Sequence, residues 1–101
     1  MIKHIVFFQL AENVEGKTKS ENAAIIKKGL ENLYGIIPEL KKIEVGINHP
    51  ETPESNYDIC LYCEFESVAD LDIYQNHPEH LKVGTYIGKV KTGRVCVDYE
   101  V

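Results

Sequence analysis

The stretch Ile2-Lys3-His4-Ile5-Val6-Phe7-Phe8-Gln9-Leu10 decides how this chain folds. β-Branched and aromatic residues dominate it, which is the composition of a strand. Successive side chains of a strand point to opposite faces. Ile2, Val6, Phe8 and Leu10 therefore lie on one side with His4, and Ile5 and Phe7 lie on the other. Both sides are apolar. A strand with one face in water would alternate apolar and polar residues, so this one belongs to a sheet that must be covered on both faces.

The sequence downstream supplies one cover. Thr18-Lys19-Ser20-Glu21 has the Ser/Thr-x-x-Glu pattern that satisfies the free N–H groups at a helix start. Ala23, Ile26, Leu30, Leu33, Tyr34 and Ile37 then recur at helical steps, predicting one apolar stripe that Pro38 terminates. Gly29 within it costs about 1 kcal/mol against alanine, which points to close packing there. Ile43, Val45 and Ile47 alternate with Lys42, Glu44 and Gly46, as an edge strand should. Residues 48–56, with two prolines and two asparagines, read as a loop. In the next strand Ile59, Leu61, Cys63 and Phe65 share one face, and Asp58, Cys60, Tyr62 and Glu64 the other. Ser67 opens a second helix carrying Val68, Leu71 and Tyr74. Pro78 suits the first position of a third, which runs to about Val90 with Leu81, Val83, Tyr86 and Ile87. Gly93 turns the chain into a last strand, Arg94 to Glu100, whose odd positions Val95, Val97 and Tyr99 form an apolar row.

The resulting order, β-α-β-β-α(α)-β, is the split βαβ of a ferredoxin-like α+β fold, one domain over residues 1–101. Its four-stranded antiparallel sheet has the strand order 4-1-3-2, with the helices on one side. The uncovered side would show Val95, Val97, Tyr99, Ile5, Phe7, Cys60 and Tyr62. A patch this apolar is rarely left in water. The simplest cover is a second copy, sheet against sheet about a two-fold axis. Pattern alone leaves open which side of the first strand faces the helices.

Composition excludes several partners. The net charge of −5 comes from 16 acidic and 11 basic residues, and Lys27-Lys28 and Lys41-Lys42 are the only adjacent basic pairs. Neither a nucleic-acid stripe nor a polybasic membrane patch is present. No apolar run has the length of a leader or a membrane span, so a cytoplasmic location is expected. Three cysteines cannot all pair with one another. Cys60 and Cys63 have CxxC spacing, but three steps along a strand put the thiols on opposite faces. They read as reduced space-fillers.

The chemistry-bearing side chains are histidines and a tyrosine. His4 lies mid-strand among apolar neighbours, while His77 and His80 flank the helix break in Tyr74-Gln75-Asn76-His77-Pro78-Glu79-His80. His49 sits in the polar loop and reads as solvated. Histidine exchanges a proton near neutral pH, and tyrosine can donate to a developing oxyanion. Together they suit proton transfer in a pocket between helices and sheet. The alternative is structural: a strand histidine hydrogen-bonded in the core, a capping His77, and Tyr74 as part of an apolar stripe. His77 and His80 at i, i+3 lack an acidic or cysteine co-ligand by pattern, so no metal is assigned.

Five segments resemble the stress-responsive A/B barrel (Dabb) family. They are Ile2-Lys3-His4-Ile5-Val6, Ile36-Ile37-Pro38, Ile43-Glu44-Val45-Gly46, Phe65-Glu66-Ser67 and, most specific, Tyr74-x-x-His77-Pro78-x-His80. The resemblance spans essentially the whole chain. It implies subunits that dimerise through their sheets into an α/β barrel, with His4 toward the helices and Ile5, Phe7, Tyr62, Val95 and Val97 toward the partner. A plant polyketide cyclase in the family uses the matching histidines and tyrosine. By that resemblance His80 is the general base, Tyr74 its orienting partner or oxyanion donor, and His4 a polar group lining the pocket; His77 joins them as a candidate through its place at the same helix junction. Leu30, Val6, Leu61 and Ile43 then line an apolar pocket. This chain departs from the cyclase at Leu30, which stands where that enzyme has a further tyrosine. Some members hold magnesium through main-chain carbonyls, here those of Tyr34, Ile37 and Leu40. The reading is a dimeric protein with a small-molecule pocket per subunit, acting by His/Tyr proton transfer without an organic cofactor. Its alternative is a non-catalytic, stress-related binding or stability module. A monooxygenase of the wider dimeric α+β barrel group fits less well, because its heme-degrading branch commonly carries a tryptophan and this chain has none.

Overall fold

A computed structural model describes residues 1–101. β1 spans Ile2–Leu10, and a small hairpin follows, β2 (Asn13–Val14) and β3 (Lys17–Thr18). Next come α1 (Lys19–Glu31), β4 (Lys42–Ile47), β5 (Ile59–Phe65), α2 (Val68–Asn76), α3 (Pro78–Val90) and β6 (Lys91–Glu100). β4-β5-β1-β6 is the order across the main sheet, and each pairing is antiparallel. This is the ferredoxin-like arrangement.

Helix starts follow the sequence closely. Thr18 and Glu21 form the reciprocal capping box, with Thr18 N–H to Glu21 Oε1 at 2.9 Å and Glu21 N–H to Thr18 Oγ1 at 3.2 Å. Ser67 Oγ accepts the Asp70 N–H at 3.1 Å. Pro78 takes the first turn of α3, where its missing N–H costs nothing.

Two expectations need correction. The first helix ends at Glu31, capped by Asn32, not at Pro38. Residues 32–40 form successive turns in which Leu33, Ile37 and Leu40 stay buried while Tyr34 is exposed. Gly35 at φ 88° keeps this segment from resuming the helix on the way to Pro38, since a left-handed residue cannot continue one. Gly93 is no turn: it lies inside β6 opposite Gln9, next to a shift in the β1–β6 register. At Gly29 the helices do pack closely: an added Cβ would sit 3.4 Å from Val83 Cγ1, in van der Waals contact, so a methyl still fits between α1 and α3.

The core lies between sheet and helices. Ile2, Val6, Phe8 and Leu10 of β1 pack there with Ile59, Leu61, Cys63 and Phe65 of β5 and with Ile26, Leu30, Tyr74, Ile87 and Val90 of the helices. Two polar residues are buried with them, His4 and Asn22. Asn22 Nδ2 donates to the Val14 carbonyl at 3.0 Å, and its Oδ1 accepts the Tyr86 hydroxyl, tying the β2–β3 hairpin to two helices. The opposite sheet face stays open. Phe7, Val95, Val97 and Tyr99 are 39%, 48%, 61% and 41% exposed, and Ile5 and Tyr62 are half-buried beside them. No helix is long and apolar enough to cross a membrane.

Candidate functional site

Strand register builds the site. His4 pairs with Cys63 on β5 and with Asp98 on β6, so these three form one rung on the helix side of the sheet. On the next rung Val6 pairs with Leu61 and Cys96. Directly paired side chains on one face lie within contact distance. His4 Nδ1 meets Asp98 Oδ1 at 2.5 Å, and Cys96 Sγ lies 3.6 Å from the same nitrogen. His4 is 2% exposed, whereas the Asp98 side chain is 43% exposed. The pair thus links a buried imidazole to solvent through a carboxylate.

Above the rung stands the α2–α3 junction. Tyr74, fully buried, packs on His80 with ring centroids 4.5 Å apart, on Phe65 at 5.0 Å and on His4 at 6.4 Å. The Cys63 thiol donates to its hydroxyl at 4.0 Å. Burial pushes the Tyr74 phenol well above its ordinary range and raises Cys63 to about 12, so both are neutral. His80 Nδ1 lies 3.1 Å from the Gln75 carbonyl, which can only accept, so a neutral His80 carries its proton on Nδ1. Burial lowers the His80 pKa; the Gln75 bond opposes this, and the charges of His4, Arg94 and His77 add to it. Both imidazoles beside Tyr74 therefore have Nδ1 committed, and Nε2 is the nitrogen each has left.

His77 does a different job. It ends α2, its Nδ1 accepts the Glu79 N–H at 3.1 Å, and it caps α3. Leu30, Val6 and Leu61, expected to line a pocket, are 1%, 1% and 2% exposed within the continuous core. Ile43 borders a depression of about 370 Å³ with Glu31, Tyr34, Lys41 and Lys42, at the far edge of the sheet. A broader depression of about 720 Å³ lies between Phe7, Cys60 and the 48–58 loop, on the open face. Of the carbonyls the resemblance offers to magnesium, that of Ile37 already accepts the Leu40 N–H at 3.1 Å. His49 is exposed and accepts the Glu51 N–H at 3.1 Å.

Sequence reading missed Asp98, Cys96 and Asn22. Asp98 and Cys96 join His4 through pairing across more than 90 residues, which no local pattern encodes. One signal was present: Arg94 and Asp98, at even positions of β6, are charged although they face the helix side.

Fold and site together define a ferredoxin-like α+β subunit with a histidine–tyrosine–aspartate cluster beneath its helices. The chain belongs to the stress responsive A/B barrel domain family, whose model matches residues 2–101. It is similar to a dimeric protein of unknown function with a ferredoxin-like fold from Bacteroides fragilis, at 38% identity over 99% of this chain and 95% of that one, with a TM-score of 0.88. A dimeric ferredoxin-like protein from Thermobifida fusca matches at 25% identity and TM-score 0.82, over 99% and 90% of the two chains. A hydroxynitrile lyase from Passiflora edulis shares the fold at 22% identity and TM-score 0.77, over 99% and 92%. No protein with a curated description matches the sequence.

Proposed function

We propose that this protein is a homodimer, paired through the open sheet face, whose helix-side cluster binds a small carbonyl or aromatic compound and moves a proton on it. The observation that carries the reading is the pair of imidazoles around Tyr74, each fixed through Nδ1 and each with Nε2 left for a ligand. A base held by a second group in one tautomer is the arrangement that general acid–base catalysis needs. His80 is the general base: its lowered pKa keeps it unprotonated at neutral pH. His4, oriented by Asp98, is the second proton-handling group. Tyr74 is a positioning residue, since its hydroxyl is buried against Cys63. His77 supports the site as a cap.

Dimerisation joins Ile5, Phe7, Tyr62, Val95 and Val97 to the same residues of a second copy. The dimeric relatives and the exposure of this row support it. Fold neighbours described as a hydroxynitrile lyase and an antibiotic biosynthesis monooxygenase indicate that the scaffold accommodates enzymes, without indicating which reaction runs here. One observation favours a non-catalytic binding or stability module instead, namely the complete burial of Tyr74 in a packed core.

Histidine titration by NMR separates the two. His80 should titrate below the ordinary value of about 6.5, and both Tyr74→Phe and added acetophenone should move its midpoint. A His80 that responds to neither leaves only the non-catalytic module. Because the folded-state pKa is lowered, the contribution of His80 to stability is present above about pH 6.5 and is lost as pH falls toward the folded pKa.

A further inference from the structure

Cys96 takes no part in proton transfer by His80 and His4. Its thiol lies 3.6 Å from His4 Nδ1 and 3.7 Å from Asp98 Oδ1, on the helix side of the sheet and away from the open face. It is not placed as a nucleophile. In a thiol–imidazole–carboxylate triad the thiol and the carboxylate engage different ring nitrogens, whereas both lie at Nδ1 here. Burial and the neighbouring carboxylate also raise the Cys96 pKa, with Arg94 opposing, so the thiol keeps its proton.

A different chemistry fits the triangle. Zinc binds thiolate at about 2.3 Å and imidazole or carboxylate at about 2.0 Å, so a tetrahedral site has sulfur-to-nitrogen and sulfur-to-oxygen edges of about 3.5 Å. The two sulfur edges observed, 3.6 and 3.7 Å, are of that length. The third edge, His4 to Asp98, is a hydrogen bond of 2.5 Å where a tetrahedron needs about 3.3 Å. Losing the shared proton removes the reason for that short contact, and the exposed Asp98 carboxylate is free to move outward. The buried His4 gives a fixed floor, Cys96 is half-buried, and Asp98 opens to solvent, which provides an entry path.

We infer that His4, Cys96 and Asp98 form a three-ligand site for a divalent ion of the zinc class, with a fourth position open to water or a small ligand. Three protein ligands with one open position is the pattern of a reactive rather than a purely structural zinc site. Binding exchanges the thiol proton for the metal and shifts the remaining His4 proton to Nε2, so about one proton leaves per ion bound. It also breaks the His4–Asp98 pair, making the metal-bound and metal-free forms mutually exclusive states of one rung. The inference does not rest on the proton-transfer reading, although it shares His4 with it and binding removes the Asp98 contact that orients that imidazole.

Cobalt(II) titration of the reduced, full-length protein tests it, with zinc as competitor. One equivalent per chain should produce the strong visible absorption of four-coordinate cobalt and a near-ultraviolet thiolate charge-transfer band, both abolished by zinc. Losing only an outer-shell partner of a metal site costs about 10–100-fold in affinity. Cys96→Ser, which removes a ligand with little change in size, should therefore weaken binding at least tenfold and eliminate the charge-transfer band. Asp98→Asn should weaken binding while keeping that band. Cys60→Ser, on the opposite sheet face, should match wild type. A Cys96→Ser protein with the wild-type band and affinity overturns the assignment, as does a saturated wild type with no thiolate band. Native-like circular dichroism of Cys96→Ser establishes that a loss of binding is not a loss of fold.

Discussion

The two faces of the main sheet are made by the same strands, yet helices close one of them and leave the other open. On the helix side, Ile2, Val6 and Phe8 are close-packed, and the polar groups in that layer find partners: His4 with Asp98, Tyr74 with Cys63, Asn22 with Val14 and Tyr86. Across the open face run two aligned rows, Tyr62–Ile5–Val97 and Cys60–Phe7–Val95. Charge gathers at one margin of that face, where Lys3 and Lys42 lie 5.5 and 5.8 Å from the centre of the Tyr62 ring. Neighbouring residues on one strand therefore serve separate purposes. If the two faces carry the proposed chemistry and association, moving a single position along the chain alters one and leaves the other.

The largest effect should come from Leu61→Ala. Leu61 is 2% exposed and pairs with Val6 and Val45, so truncation leaves a cavity that costs about 2–5 kcal/mol in chemical denaturation. The comparison breaks if Tyr62→Ala, one residue on, costs the isolated subunit as much.

Next is Val97→Asp, the strongest test of the open face. Burying a large apolar side chain favours association by about 1.5–3 kcal/mol, and two-fold symmetry counts the change twice. Self-association should weaken at least about a hundredfold, seen in light scattering as a halved mass at micromolar concentration with circular dichroism unchanged. An undiminished mass would mean that the dimer uses another surface. The smallest effect should be a gain: Gly29→Ala puts a methyl in van der Waals contact with Val83 and should stabilise by about 1 kcal/mol through helix propensity. Destabilisation would show that α1 and α3 cannot yield there.

Much of the fold was legible because its signals are local. The capping box at Thr18, Ser67 as a cap, Pro78 in a first turn and the alternation from Ile59 to Phe65 each involve neighbours in sequence. The early end of α1 was hidden, because Leu33 and Ile37 keep helical spacing while buried by turns. The β2–β3 hairpin was missed as well. Its turn depends on Glu15 and Gly16 at φ 58° and 72°, a conformation that the polar composition of the stretch does not single out. At the site, His4, Tyr74 and His80 stood out by residue type, and the structure brings them into one cluster. Their partners could not be read, because Asp98 reaches His4 through strand register and Gln75 through a main-chain carbonyl.

His77 is at once the last cap of α2 and the first cap of α3, so no spare residue separates the two helices. Each residue added to a helix turns everything after it by about 100°. One residue inserted after His77 would move the His80 side chain away from Tyr74, although every side chain of the cluster would still be present in the sequence. The Tyr74-to-His80 interval is thus a length standard, and the site is more vulnerable to a change in spacing there than to many changes of residue identity.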